Sequence, residues 1–170
     1  SVDDLTPTGL VGAISALNEG LDHRGSKLRM PTDFCIGATL DLGRDLDREA
    51  RLTWRKVEAG AQFFITQPFY DPDQRRRFLD LYQAVAGQAL SAPVFWGLQV
   101  LEKEGVLLGE IPDRAMQDLE KGRPGTDIAV EQLQTFVDTG VRGIYLVPPI
   151  LKGGVRDYDA ARRVLAEFSG

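Results

Sequence analysis

Cysteine and histidine each occur once in the chain, as Cys35 and His23. One cysteine excludes an internal disulfide and fits a reducing cytoplasm, the expected location. Together the two residues are too few for a zinc site of the usual ligand type. Ser-His-Asp catalysis would have only His23 to draw on, in a polar stretch that offers it no support. Cys35 lies in an apolar run and is expected to pack in the core. No apolar run approaches the roughly 20 residues of a membrane-spanning helix. Basic charge is scarce as well. The 20 lysines and arginines against 25 aspartates and glutamates leave a net charge of −5, which argues against a nucleic-acid or anionic-membrane surface. The one basic run, Arg75-Arg76-Arg77, reads as a solvated helix face. Neither a Rossmann glycine fingerprint nor a P-loop is present.

What the sequence does contain is an alternation. Its 170 residues, 43% hydrophobic and 26% charged, suit one globular domain spanning 1–170. Four short apolar runs, Phe34 to Leu40, Gln62 to Gln67, Pro93 to Val100 and Gly143 to Val147, have strand length and strand composition. None alternates cleanly with polar residues, which suits strands covered on both faces. Between them, apolar residues recur at helical spacing. The sets are Leu46, Ala50, Trp54 and Val57; Phe78, Leu81, Tyr82 and Val85; Val130, Leu133, Phe136 and Val137; and Tyr158, Ala161, Leu165 and Phe168. An opening helix is predicted over 8–19, and a short extra helix from Asp113 with Pro112 at its start. Asp73 and Asp127 are the predicted N-caps. The order α-β-α-β-α-β-α-β-α implies right-handed crossovers and a parallel sheet, the α/β class.

One internal similarity sharpens the architecture. Val57 to Pro68 and Val137 to Pro148 both read as helix end, glycine cap, strand, then proline. Two such units suggest barrel symmetry; general chemistry of helix-to-strand loops is the alternative.

In parallel α/β folds the chemistry lies at the C-terminal ends of the strands. Gln67 stands out there, because an unsatisfied buried amide costs about 1–3 kcal/mol. Two readings stay open for it: a group facing a pocket or ligand, and a glutamine bonded to neighbouring backbone. Gln99 has the same two readings, with structural capping favoured. Asp41 and Asp71 read as turn or N-cap residues. Lys152-Gly153-Gly154 suits a turn better than a phosphate loop. Lys56, just before a glycine cap, reads as a dipole-complementing cation.

Arg55-Lys56-Val57-Glu58-Ala59-Gly60-Ala61, followed by Ile65-Thr66-Gln67-Pro68-Phe69-Tyr70-Asp71, resembles the central signature of the methylenetetrahydrofolate reductases. The nearer likeness is to the branch fused to homocysteine methyltransferases. Asp4 to Leu10, Phe34 to Ala38 and Tyr145 to Pro149 also resemble that branch. The resemblance implies a TIM (β/α)8 barrel of which this chain is the C-terminal half. It implies a flavoprotein of one-carbon metabolism and methionine biosynthesis. In that family NAD(P)H reduces FAD, and the flavin reduces methylenetetrahydrofolate to methyltetrahydrofolate. By motif position Gln67 would contact the folate, and Lys152 would fall near its tail. Lys56, Glu49 and Thr39 would fall near the FAD. After the predicted strand, Thr39-Leu40-Asp41 stands where many relatives carry Asn-Pro or Tyr-Pro. The family's catalytic acid belongs to the other half of the barrel, so no residue here is assigned that role. The chain alone is expected to be inactive, and to self-associate or to pair with an N-terminal half. A non-catalytic half-barrel that binds folate or flavin is the alternative.

Overall fold

The computed structural model describes residues 5–168; Asp4, at the head of the segment that resembles the family, lies outside them. Ten elements follow one another: α1 (Pro7–Asn18), β1 (Gly37–Leu40), α2 (Leu46–Glu58), β2 (Phe63–Pro68), α3 (Pro72–Ala86), β3 (Val94–Gln99), α4 (Asp113–Glu120), α5 (Gly125–Asp138), β4 (Ile144–Val147) and α6 (Tyr158–Phe168). The four strands are parallel and form one sheet in the order β1-β2-β3-β4. In the β3–β4 pair, Trp96 to Gln99 lie opposite Ile144 to Val147. This is the predicted alternation, and it is consistent with part of a TIM barrel. The chain divides into two compact units, residues up to Ile65 with Arg76–Val94, and Thr66–Arg75 with Phe95 onward.

In the first unit, Thr6 caps α1 by accepting the Gly9 amide at 3.1 Å. β1 begins three residues later than the apolar run suggests. Asn18 explains the delay, because its side chain does the work of a neighbouring strand. Its Nδ2 donates to the Phe34 carbonyl at 2.9 Å, and its Oδ1 accepts the Phe34 amide at 2.8 Å. The Ile36 amide likewise donates to Gln62 Oε1. Side-chain amides thus hold 34–36 outside any strand. Cys35 is therefore exposed, against its expected place in the core.

The buried face of α2 also differs from the apolar pattern. Trp54 is 37% exposed, while Glu49, Ala50, Thr53 and Lys56 are buried. A polar row at i, i+4 and i+7 has taken the inward face, which apolar periodicity cannot find. Asp45 caps this helix through the Arg48 amide at 2.8 Å.

The second unit is built on aromatics. Phe69 stacks on Phe136 at 4.7 Å between centroids and meets Trp96 edge-on at 5.7 Å. Arg75 lies 5.1 Å over the Trp96 ring. The first residue of the basic run is thus packed rather than solvated, and desolvation lowers its pKa. Gln99 is 1% exposed. Its Nε2 donates to the Val106 carbonyl and its Oε1 accepts the Leu108 amide, both at 2.7 Å. The amide pins the long segment after β3, which is the capping reading.

Two predicted caps move. Asp71, not Asp73, precedes α3 and accepts an amide, that of Asp73 at 2.9 Å. Helix α5 starts at Gly125, two residues before Asp127, which falls in the first turn. Gly125 fits there because its backbone lies against the Leu101 carbonyl, with no room for a Cβ. In α6, Ala160, Ala161 and Val164 are buried while Tyr158 and Leu165 are exposed, so its inward face is rotated from the predicted stripe.

The two similar segments close alike. The Gly60 and Ala61 amides donate to the Val57 and Lys56 carbonyls; the Gly140 and Val141 amides donate to those of Val137 and Phe136. Both are six-to-one caps with a left-handed glycine. The same cap closes α1 at Gly20 and α4 at Gly122, and neither is followed directly by a strand. The cap is therefore general helix termination, and only the strand and proline after it set the two segments apart.

Candidate functional site

The residues singled out in the sequence fall into two groups, one in each unit. Thr39, Glu49 and Lys56 form a cluster in the first. Lys56 is only 8% exposed and Glu49 3%. The Lys56 ammonium donates to the Thr39 carbonyl at 2.6 Å and lies 3.8 Å from Glu49 Oε1. That same carboxylate oxygen accepts the Asp41 amide at 3.3 Å. Lys56 is thus a buried, partnered cation rather than a solvated one at a helix end. Burying a charge is tolerable only with such partners.

A cavity of about 460 Å³ opens beside this cluster. Leu10, Val11 and Ile14 of α1 form one wall; Gly37, Thr39, Phe63 and Ile65 of the strands form another, with Lys56 between. Gly37 is required here, because the Phe63 ring occupies the space of a Cβ. Thr53 is fully buried one turn from both charged residues, and its hydroxyl has no partner among the described residues. No local pattern in the sequence marks it.

In the second unit, Gln67 is exposed near the end of β2, and no hydrogen bond joins its side chain to another described residue. Its neighbour Thr66 is buried. Lys152 is exposed in a tight turn. The Gly154 amide donates to the Leu151 carbonyl and the Leu151 amide to that of Val155, with Gly153 and Gly154 at φ of 90° and 87°. The turn reading of Lys152-Gly153-Gly154 is the one that holds. No hydrogen bond or ion pair links Lys152 to Gln67 among the described residues. Asp41 is likewise a turn residue, accepting the Gly43 amide at 3.0 Å and pairing with Arg44 at 2.9 Å.

Among the described residues no cluster of His, Cys, Asp and Glu suits a metal ion, and no helix is long and apolar enough to cross a membrane. Two residues that the sequence reading passed over also matter. Tyr145 donates its hydroxyl to the Thr66 carbonyl, across Gly97. Burial pushes its phenol above the usual tyrosine range. A glycine inside a strand, Gly97, was the available signal of such a close approach.

Parallel strands joined through helices make an α/β fold consistent with part of a TIM barrel. The family model for methylenetetrahydrofolate reductase matches residues 41–148, and the chain belongs to that family. The match takes in Glu49, Lys56 and Gln67, and leaves Thr39 and Lys152 outside. Among solved structures, the chain is similar to an uncharacterized protein from Clostridium thermocellum that binds two copies of 5-methyl-5,6,7,8-tetrahydrofolic acid. The TM-score is 0.50 at 18% identity, over 67% of this chain and 46% of that one. The likeness is one of fold, and the chain spans about half the length of that structure. No curated protein matches the chain.

Proposed function

We propose that this chain carries folate- and flavin-binding groups of a reductase acting on methylenetetrahydrofolate. The family match over 41–148 is the observation that carries the reading, because it includes Gln67, Lys56 and Glu49. FAD is implied by the family, and the first unit suits part of it. Apolar walls beside one buried ammonium and one threonine fit a ring system with an adjoining oxyanion. Lys56 would hold the oxyanion, with Glu49 Oε1 3.8 Å away to keep the ammonium in place. Bound FAD supplies hydride transfer between NAD(P)H and the folate. Gln67 offers that folate an NH2 donor group and a carbonyl acceptor. Lys152 lies in the turn after β4 as an exposed cation for a carboxylate tail, without the forked geometry of an arginine. With four strands, the chain on its own is proposed to bind these ligands rather than to turn them over.

A second reading, a folate-binding module without catalysis, draws on the structural neighbour, which binds a methylated folate. Titration of FAD into the chain, followed by flavin fluorescence and absorbance, separates the two. Saturable quenching supports the flavoprotein. Folate binding without any flavin binding would favour the module.

A further inference from the structure

Three strands of the second unit are tied at one point. The Tyr145 hydroxyl of β4 donates to the Thr66 carbonyl of β2 at 2.5 Å. Its ring passes over Gly97 of β3. A Cβ at that glycine would lie 2.7 Å from the hydroxyl oxygen and within 3.0 Å of two ring carbons. The Gly97 amide in turn donates to Thr66 Oγ1 at 2.8 Å. The Thr66 hydroxyl oxygen is therefore occupied by the adjacent strand β3, and its carbonyl by β4, which lies beyond β3.

The tied carbonyl belongs to the peptide that links Thr66 to Gln67. A peptide is planar, so holding its oxygen also holds the Gln67 amide in the same plane. That plane fixes the Gln67 nitrogen and Cα, from which the side chain leaves the strand. Nothing farther out on Gln67 holds it, since its own amide has no partner among the described residues. A hydroxyl 79 residues away along the chain is the group placed to fix its aim.

We propose that Tyr145 is a positioning residue for Gln67, acting through the Thr66 carbonyl, with Gly97 as the gap that admits its ring. The functional consequence rests on the reading of Gln67 as a folate contact; the positioning itself does not. Tyr145 touches no ligand in this scheme, so its effect on binding should vanish when Gln67 is absent.

Two variants of the 170-residue chain test this, Tyr145→Phe and Gly97→Ala. The first removes only the hydroxyl, and the second pushes the ring aside. In ¹⁵N NMR spectra, with the Gln67 side-chain signal assigned by its loss in Gln67→Ala, both variants should shift the Gln67 side-chain and backbone amides. The Gln99 side-chain signal should stay, as a control for global change. Gln67 signals unmoved in both variants would overturn the proposal. Calorimetry with 5-methyltetrahydrofolate provides the second measurement. Tyr145→Phe should weaken binding roughly fivefold, the scale of one hydrogen bond, and should weaken it no further in a Gln67→Ala background. An equal loss in that background would refute action through Gln67. If the Gln67 signals move but the unmodified chain does not bind the folate, the positioning stands and the folate reading falls.

Discussion

Lys56 shows how a single residue changes meaning between sequence and structure. Before a glycine cap it reads as a cation that complements the helix dipole. In the structure it is buried between the Thr39 carbonyl and Glu49. Removing one member of a buried pair leaves the other charge uncompensated, which costs about 3–5 kcal/mol in tight pairs. At 3.8 Å this pair is at the loose end. Lys56→Met should therefore cost about 3 kcal/mol in urea unfolding, and Lys56→Met with Glu49→Gln should recover most of the loss. A single variant as stable as the unmodified chain would show that Glu49 does not depend on Lys56. Gln67 is the opposite case. Its side chain is exposed and makes no hydrogen bond to another described residue, so it contributes little to stability.

At the scale of elements, every strand was legible and the faces of several helices were not. Strand content follows from local composition: three apolar runs contain their strands, and β2 runs one residue past its own, through Pro68. β1 is shortened because Asn18 and Gln62 satisfy 34–36 with side-chain amides, and a contact 16 residues away leaves no local signature. The inward faces of α2 and α6 were misread because apolar periodicity counts methyl groups, whereas α2 buries a polar row made tolerable by its partners. Trp54, Tyr158 and Leu165 were counted inward and lie outward. The start of α3 was misplaced by two residues, since Asp71 and Asp73 are both chemically fit to cap. Asp71→Ala should cost about 1 kcal/mol of stability, read as a lower urea midpoint. No change would assign the cap elsewhere. Of the candidate site, the strand-end residues were legible, while the Tyr145 tie and the buried Thr53 were not.

At the scale of the whole molecule, three phenols, two buried and that of Tyr145 half-buried, tie stability to alkaline pH. Tyr70, Tyr82 and Tyr145 all have their pKa raised, in each case chiefly by desolvation. Tyr70 also donates to the Gln99 carbonyl. A raised folded-state value means that the unfolded chain loses its phenol protons first, near the ordinary value of about 10. The folded state then binds more protons than the unfolded one, so stability falls as pH rises. Below pH 10 the contribution is fully present. Urea midpoints should accordingly be flat from pH 8 to 9.5 and fall above 10, with a shallower fall in Tyr70→Phe. A flat profile to pH 11 would show that the phenols ionise alike in both states.

A family-matched glutamine at the end of β2 is proposed to face a folate. Calorimetric titration of 5-methyltetrahydrofolate into the chain and into its Gln67→Ala variant tests it most directly. Saturable binding at one site, weakened roughly tenfold in the variant, is the expected result, since a lost hydrogen bond to a ligand is worth about 1.4 kcal/mol. No binding to the unmodified chain, or equal binding to both, would contradict it.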